Sequence, residues 1–170
     1  MELFVIRHAI AEPLGKQNEF SDEKRKLTIE GRNRMRDVVK GLVKLDVELD
    51  LILTSPLVRA VETAEIVATS VGLSKKEIKQ SVNLAPGASA EALFAEVKGY
   101  AGVESIALIG HQPDLGALVS TIISSNAGTL SIQLKKGSVC CLNVPETVPS
   151  LRGDLVWLLT PRQLRLVAKA

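Results

Sequence analysis

Short uninterrupted apolar runs alternate along most of the chain with stretches whose apolar residues recur every three or four positions. The run "LFVI" (residues 3–6) has no polar residue to turn toward water, which predicts a strand buried on both faces. Residues 14–27 are polar and read as a loop. In "TIEGRNRMRDVVKGLVKL", Met35, Val38, Val39, Leu42 and Leu45 form one stripe, predicting a helix with Thr28 as its N-cap. "DLILTSP" predicts a second buried strand, followed by Ser55 as N-cap and Pro56 at the first helical position, where a missing N–H costs nothing. Leu57, Ala60, Val61, Ala64, Val67, Ala68 and Val71 keep helical spacing as far as Gly72, which should stop that helix. A weaker strand over 79–84 leads through "APGAS" to a short helix carrying Leu93, Phe94 and Val97. "SIALIG" is a strand that ends at His111, and a helix capped by Asp114 carries Leu115, Leu118, Val119 and Ile122. In the last third "LSIQL", "SVCCLNV" and "DLVWLLTP" read as strands joined by turns, before a short helix from Pro161.

Strands alternating with helices predict an α/β protein, a three-layer α/β/α sandwich around a mostly parallel central sheet. No repeat or linker interrupts the pattern, so residues 1–170 are expected to form one domain. With 46% apolar and 24% charged residues, the chain can bury roughly two-thirds of its unfolded surface without staples.

Charge removes some function classes. Residues 1–85 carry 14 basic and 13 acidic side chains and the remainder 7 and 6, for a net charge of +2. That balance, with only 3% aromatics, argues against a nucleic-acid binder. The local cluster "DEKRKLTIEGRNRMR" reads first as a solvated helix face and second as a surface for an acidic partner. The adjacent Cys140 and Cys141 should point to opposite faces of a strand, which suits buried structural roles and no mutual disulfide or shared metal. The start "MELFVIRHA" has no charged leader and no apolar run reaches membrane length, so a cytoplasmic protein with no membrane partner is expected. A monomer is the default expectation.

The chemistry gathers at one edge. In a parallel sheet, ligands bind at the carboxyl ends of strands, beside the free N–H groups of helix N-termini. Arg7 and His8 follow the first strand, Arg59 follows the second, and His111 and Gln112 follow "IALIG". Arg7 and Arg59 offer forked donors for an oxyanion, with His111 and Gln112 as further donors. A neutral imidazole at His8 is a competent nucleophile toward phosphorus. Each histidine taken alone also fits a structural role; their shared edge favours a joint one. Arginines crowding two histidines make poor surroundings for a divalent cation, so no metal is expected.

The series "VIRHA", "LTIEGRNR", "ILTSPLVRAVETAEIV" and "LIGHQPDLG" resembles the histidine phosphatase superfamily, with its phosphoglycerate mutase-like fold. Its short length is most similar to the SixA-type branch, the phosphohistidine phosphatases of phosphorelays. The resemblance implies that His8 accepts the phosphoryl group, that Arg7 and Arg59 clamp its oxygens, that His111 stabilises the charge, and that neither metal nor organic cofactor is needed. It makes Thr28 and Gly31 a structural helix start and Ser55 chiefly a cap. It also implies a phosphohistidine-bearing protein as partner, such as a histidine-phosphotransfer domain. Two positions depart from the pattern. Ala9 stands where many relatives have glycine. "NLAPGASAE" has no acid before Glu91, where many phosphomonoesterases of the superfamily carry a proton donor. A labile P–N bond needs that donor less than an ester does. A small-molecule phosphomonoesterase or mutase, and a phosphate-binding module without turnover, are the competing expectations.

Overall fold

The computed structural model describes residues 1–14, 21–100, 102–145 and 152–170. Among these, six strands form one sheet: β1 (Glu2–Arg7), β2 (Leu51–Thr54), β3 (Ile78–Gln80), β4 (Ser105–Gly110), β5 (Val139–Asn143) and β6 (Asp154–Leu159). Their order is β3-β2-β4-β1-β5-β6. β3, β2, β4 and β1 run parallel to one another, whereas β5 runs antiparallel to both β1 and β6. The helices are α1 (Ile29–Lys44), α2 (Val58–Val71), α3 (Ala90–Lys98), α4 (Asp114–Ser124) and α5 (Pro161–Val167). No helix among the described residues is long and apolar enough to cross a membrane.

The apolar runs of the sequence are explained by two cores, one on each face of the sheet. Phe4 and Ile6 of β1 pack with Met35, Val38, Ala60, Ala64 and Leu164 from α1, α2 and α5. Leu3 and Val5 face the other way, toward Leu93, Val97, Leu115 and Val119 of α3 and α4. Alternate side chains of one strand thus feed both layers, so every position must be apolar. Cys140 joins the α3/α4 side and Cys141 the α1/α2 side; both are free and buried. Desolvation pushes the Cys140 thiol up to about 12 and the Cys141 thiol to about 11.

Local signals resolve at atomic level. Thr28 Oγ1 accepts the Gly31 N–H at 2.9 Å, capping α1. The Ile10 carbonyl accepts the Thr28 N–H at 3.0 Å and lies so close that a Cβ on Gly31 would stand 2.1 Å from its oxygen. The start of α1 is therefore pressed onto the segment that follows His8. Gly72 ends α2 in the left-handed region at φ 82°. Thr160 and Gln163 form a capping box at the start of α5.

Several expectations are corrected. α2 begins at Val58 rather than Pro56, with Leu57 in the cap position; Ser55 Oγ still accepts the Leu57 N–H, at 3.3 Å, but its other partner lies elsewhere. The strand expected over 79–84 stops at Gln80, because Ser81 Oγ accepts the Asn83 N–H and starts a short 3-10 turn. "LSIQL" is no strand: the Ile132 and Leu134 carbonyls accept from the side chains of Gln112 and Arg7 instead of a ladder. Asp114 is the first residue of α4, and its carboxylate accepts the Gly87 N–H at 3.1 Å rather than capping its own helix. Leu45 is not in the core; it caps the end of α1 and is exposed.

Gly31→Ala should cost about 2 kcal/mol of stability in denaturant unfolding, because backbone rather than a movable side chain blocks the new methyl. Gly128→Ala, where the nearest atom to a Cβ would be 3.6 Å away, should cost much less.

Candidate active site

Strands β2, β4 and β1 are adjacent, and their registers pair Thr54 with Ile109 and Arg7 with Gly110. The first residue beyond each strand is Ser55, His111 and His8. The ladder continues one step further: the Ser55 N–H donates to the Ile109 carbonyl at 2.9 Å and the His8 N–H to the Gly110 carbonyl at 3.1 Å. These side chains converge because their strands are hydrogen-bonded neighbours that stop together.

The two imidazoles are each 5% exposed, with ring centroids 5.0 Å apart. His8 Nδ1 lies 2.7 Å from the Ala9 carbonyl oxygen, which can only accept, so this nitrogen carries the proton. His8 Nε2 accepts from Arg59 Nε at 3.3 Å. The contacts assign one tautomer, with the Nε2 lone pair turned toward the arginine. Burial lowers the His8 imidazole to about 3, against the Ala9 hydrogen bond and aided by the charges of His111, Arg59 and Arg7. Burial also lowers His111 to about 4; Arg59 and Arg7 push the same way, and Asp114 and Asp22 oppose them. Both rings are neutral at physiological pH. His111 Nε2 meets Ser55 Oγ at 2.8 Å, while its Nδ1 is buried with no partner among the described residues. Ser55, expected as a helix cap, orients this imidazole.

Arg59, on the first turn of α2, is 4% exposed. Beyond His8, its guanidinium donates from one terminal nitrogen to the Asp22 carbonyl at 2.7 Å and from the other to Asp22 Oδ2 at 2.9 Å. Arg25 takes the other carboxylate oxygen, at 2.7 Å from Nε and 2.6 Å from a terminal nitrogen. Partial burial raises the Asp22 carboxyl, but hydrogen bonds and charge from Arg25 and Arg59 outweigh it and hold the group below the usual carboxylate range. Burial lowers both Arg59 and Arg7, which remain cations at neutral pH. Arg7 donates to the Leu134 carbonyl at 2.7 Å, and its buried Nε has no partner among the described residues.

Gln112 follows His111; its amide nitrogen donates to the Ile132 carbonyl at 2.8 Å, and its buried Oε1 has no partner among the described residues. A cavity of about 270 Å³ opens beside His111, lined by Leu84, Leu93, Leu115, Asp114 and Glu91 among others. Glu91 is exposed, and the Ser89 hydroxyl, 2.5 Å from its Oε2, holds its carboxyl below the usual range. No group of three or more metal-ligating side chains occurs among the described residues.

Sequence reasoning missed the supports. Asp22 and Arg25 lie in the polar loop, whose members at 15–20 fall outside the described residues. Thr63, on the apolar stripe of α2, accepts the Ala9 N–H at 3.1 Å and donates to the Arg59 carbonyl at 2.7 Å, joining the residue after His8 to the helix that carries Arg59. Glu62 holds the Leu27 N–H at 2.6 Å and Arg32 at 2.5 Å. The available signal was spacing: Thr63 is one helical turn beyond Arg59.

A neutral imidazole with a directed lone pair, beside two guanidiniums and a second neutral imidazole, suits nucleophilic attack on a tetrahedral oxyanion. Comparison with known proteins points the same way. A family model described as histidine phosphatase superfamily (branch 1) matches residues 3–88. An uncharacterized protein of Picosynechococcus is 36% identical over 141 residues, 82% of each chain. Phosphohistidine phosphatase SixA of Escherichia coli K12 is 26% identical over 100% of this chain and 99% of its own. A solved structure of the protein histidine phosphatase SixA with tungstate superimposes with a TM-score of 0.84 at 25% identity, covering 96% of this chain and 99% of that one.

Because the sequence contains only two histidines, both imidazoles can be followed separately by NMR. Neither should titrate between pH 7.5 and 5, about where a free histidine does; a midpoint near 6.5 for either ring would refute the neutral pair. The folded-state values lie below the unfolded one, so the unfolded chain binds more protons in this window. Stability should therefore fall as pH drops from about 6.5 toward 4, which thermal unfolding across that range checks. Asp22→Asn should bind inorganic phosphate about fivefold more tightly in calorimetry, about 1 kcal/mol, because an anion no longer competes for Arg59.

Proposed function

The chain belongs to the histidine phosphatase superfamily and is a phosphatase, and from that premise we propose that it hydrolyses phosphohistidine on a protein, such as a histidine-phosphotransfer domain. The observation that carries the reading is the His8 tautomer: Nδ1–H is tied to the Ala9 carbonyl, so Nε2 is the nitrogen that attacks. The phosphoryl group displaces the Asp22 carboxylate from Arg59 and takes donors from Arg7 and Arg59, with His111 Nδ1 as a further partner. His8 Nε2 forms a bond to phosphorus while the substrate's P–N bond breaks in line, and the departing imidazole keeps the electron pair and takes a proton from solvent. Water then attacks phosphorus in line, the His8 Nε2–P bond breaks with its electron pair returning to Nε2, and phosphate leaves while the water's proton passes to solvent. Positioning and preorganised charge supply the acceleration.

The choice of a P–N over a P–O substrate rests on the carboxylates around the site, of which Asp114 accepts the Gly87 N–H. Asp22 and Glu91 are both held in the ionised form, so neither is poised to protonate an alkoxide. Such a donor contributes about 10² to 10⁴ in rate to ester cleavage and is less necessary where the leaving group is an imidazole. The similarity to SixA over the full length supports the same substrate class.

Incubated with a histidine-phosphorylated phosphotransfer domain, the wild type should release phosphate through an acid-labile phosphoenzyme. His8→Ala should lose that intermediate and at least about 10³ of the rate, and Arg59→Ala should weaken phosphate binding and slow the chemical step by about 10² or more. Equal turnover by His8→Ala would remove the nucleophile assignment. Faster turnover of sugar phosphates than of phosphohistidine would assign a small-molecule phosphatase instead.

A further inference from the structure

On the face of the molecule formed by α1 and α5, two cavities of about 130 and 380 Å³ share Arg162 and Arg165 and so form one groove. Its cationic lining comprises Arg34, Lys40, Lys136, Arg162, Arg165 and Lys169, against a single acid, Asp37. That acid is already committed to Lys40, at 2.9 Å, and Arg34 pairs with Glu30. No carboxylate among the described residues lies within ion-pair distance of Lys136, Arg162, Arg165 or Lys169. Arg165 is half-buried, and its Nε has no hydrogen-bond partner there. Four cations in one groove with no ion pair among the described residues contrast with a chain whose net charge is only +2.

The groove is placed beside the chemistry. Its inner end is lined by Ala9, the residue after His8, and by Gly137, whose N–H donates to the Arg7 carbonyl at 3.0 Å. Pro161, at the start of α5, follows β6 at the same edge of the sheet as the ends of β1 and β4. A Cβ on Gly41 would stand 2.1 Å from the Leu164 carbonyl oxygen, so α1 and α5 are in backbone contact and the groove between their outer faces is rigid.

We infer that this groove is a docking surface for an acidic segment of the protein that presents the phosphohistidine, an inference that rests on the substrate proposed above. Arg162 and Arg165 stand at i and i+3 on α5, with Lys169 in the turn just past its C-cap and in the same lining, which sets out cations for successive carboxylates. Phosphohistidine offers the pocket little beyond a phosphoryl group and a ring, so discrimination among protein substrates falls to contacts outside it, and charge complementarity raises the encounter rate. A nucleic acid is the less suited polyanion, since no aromatic side chain lines the groove to stack a base.

The test uses a short fluorescent peptide of consecutive Glu and Asp, its Gln and Asn twin, and single-stranded DNA. At low salt the acidic peptide should bind the wild type about tenfold more tightly than its twin, with the preference falling away toward about 0.5 M salt. Arg162→Glu with Arg165→Glu should abolish the preference, and Lys136→Glu, on a separate segment, should weaken it; circular dichroism confirms that each variant is folded. Versions of the two peptides extended by one histidine and phosphorylated on it should differ in KM with the wild type only, whereas free phosphohistidine should be turned over equally by wild type and variants. Equal binding of both peptides, a preference that survives the charge reversals, or tighter binding of the DNA would overturn the inference. If no phosphohistidine substrate is turned over, the proposed reaction falls, while the peptide binding still judges the groove.

Discussion

A guanidinium that is 4% exposed and hydrogen-bonded to an imidazole sets the terms for everything around it. Burial keeps the imidazoles beside it neutral, and Arg59, which cannot surrender its proton, pushes the same way. A buried cation also needs an anion, because leaving it unpaired is among the costliest arrangements a fold can contain. Asp22 supplies that anion here. In the proposed reaction the phosphoryl group takes its place, so one anion exchanges for another and the cation is never stranded. The work of removing Asp22 is then part of the cost of binding substrate.

The fold serves this arrangement through its sheet. Three neighbouring strands end together and each delivers one side chain, so backbone hydrogen bonds rather than long flexible loops determine where His8, His111 and Ser55 stand. Helix packing completes the placement: Thr63 ties Ala9 to α2, and Thr28 with Gly31 presses α1 against Ile10. The segment after His8 is therefore held from two sides, which suits a group that must meet phosphorus in line.

Much of this was legible in the chain. Both-face burial shows as uninterrupted apolar runs, helix starts show as Thr28 and Pro161, and the polar residues that end β1 and β4 mark Arg7, His8 and His111. What escaped depends on contacts between distant residues. Asp22 meets Arg59 across 37 positions from a loop with no periodicity. Ser55 looked like a cap because its hydroxyl does accept a nearby N–H, yet its second contact, to His111, is 56 residues away. Gln112, expected to face an anion, also has a structural contact the sequence did not signal, its amide nitrogen joining the segment before α4 to Ile132. "LSIQL" has strand propensity, but its carbonyls are taken by side chains, a tertiary effect that overrides the local pattern.

The opposed cysteines of β5 carry a consequence for how the molecule comes apart. Each thiol is fully covered and far from ionised, so in the folded state neither reacts readily with alkylating agents or peroxide. One looks into the layer of α3 and α4, the other into the layer of α1 and α2. The chain thereby carries two native reporters, one per half of the sandwich, and the order in which they become alkylated would tell which half opens first.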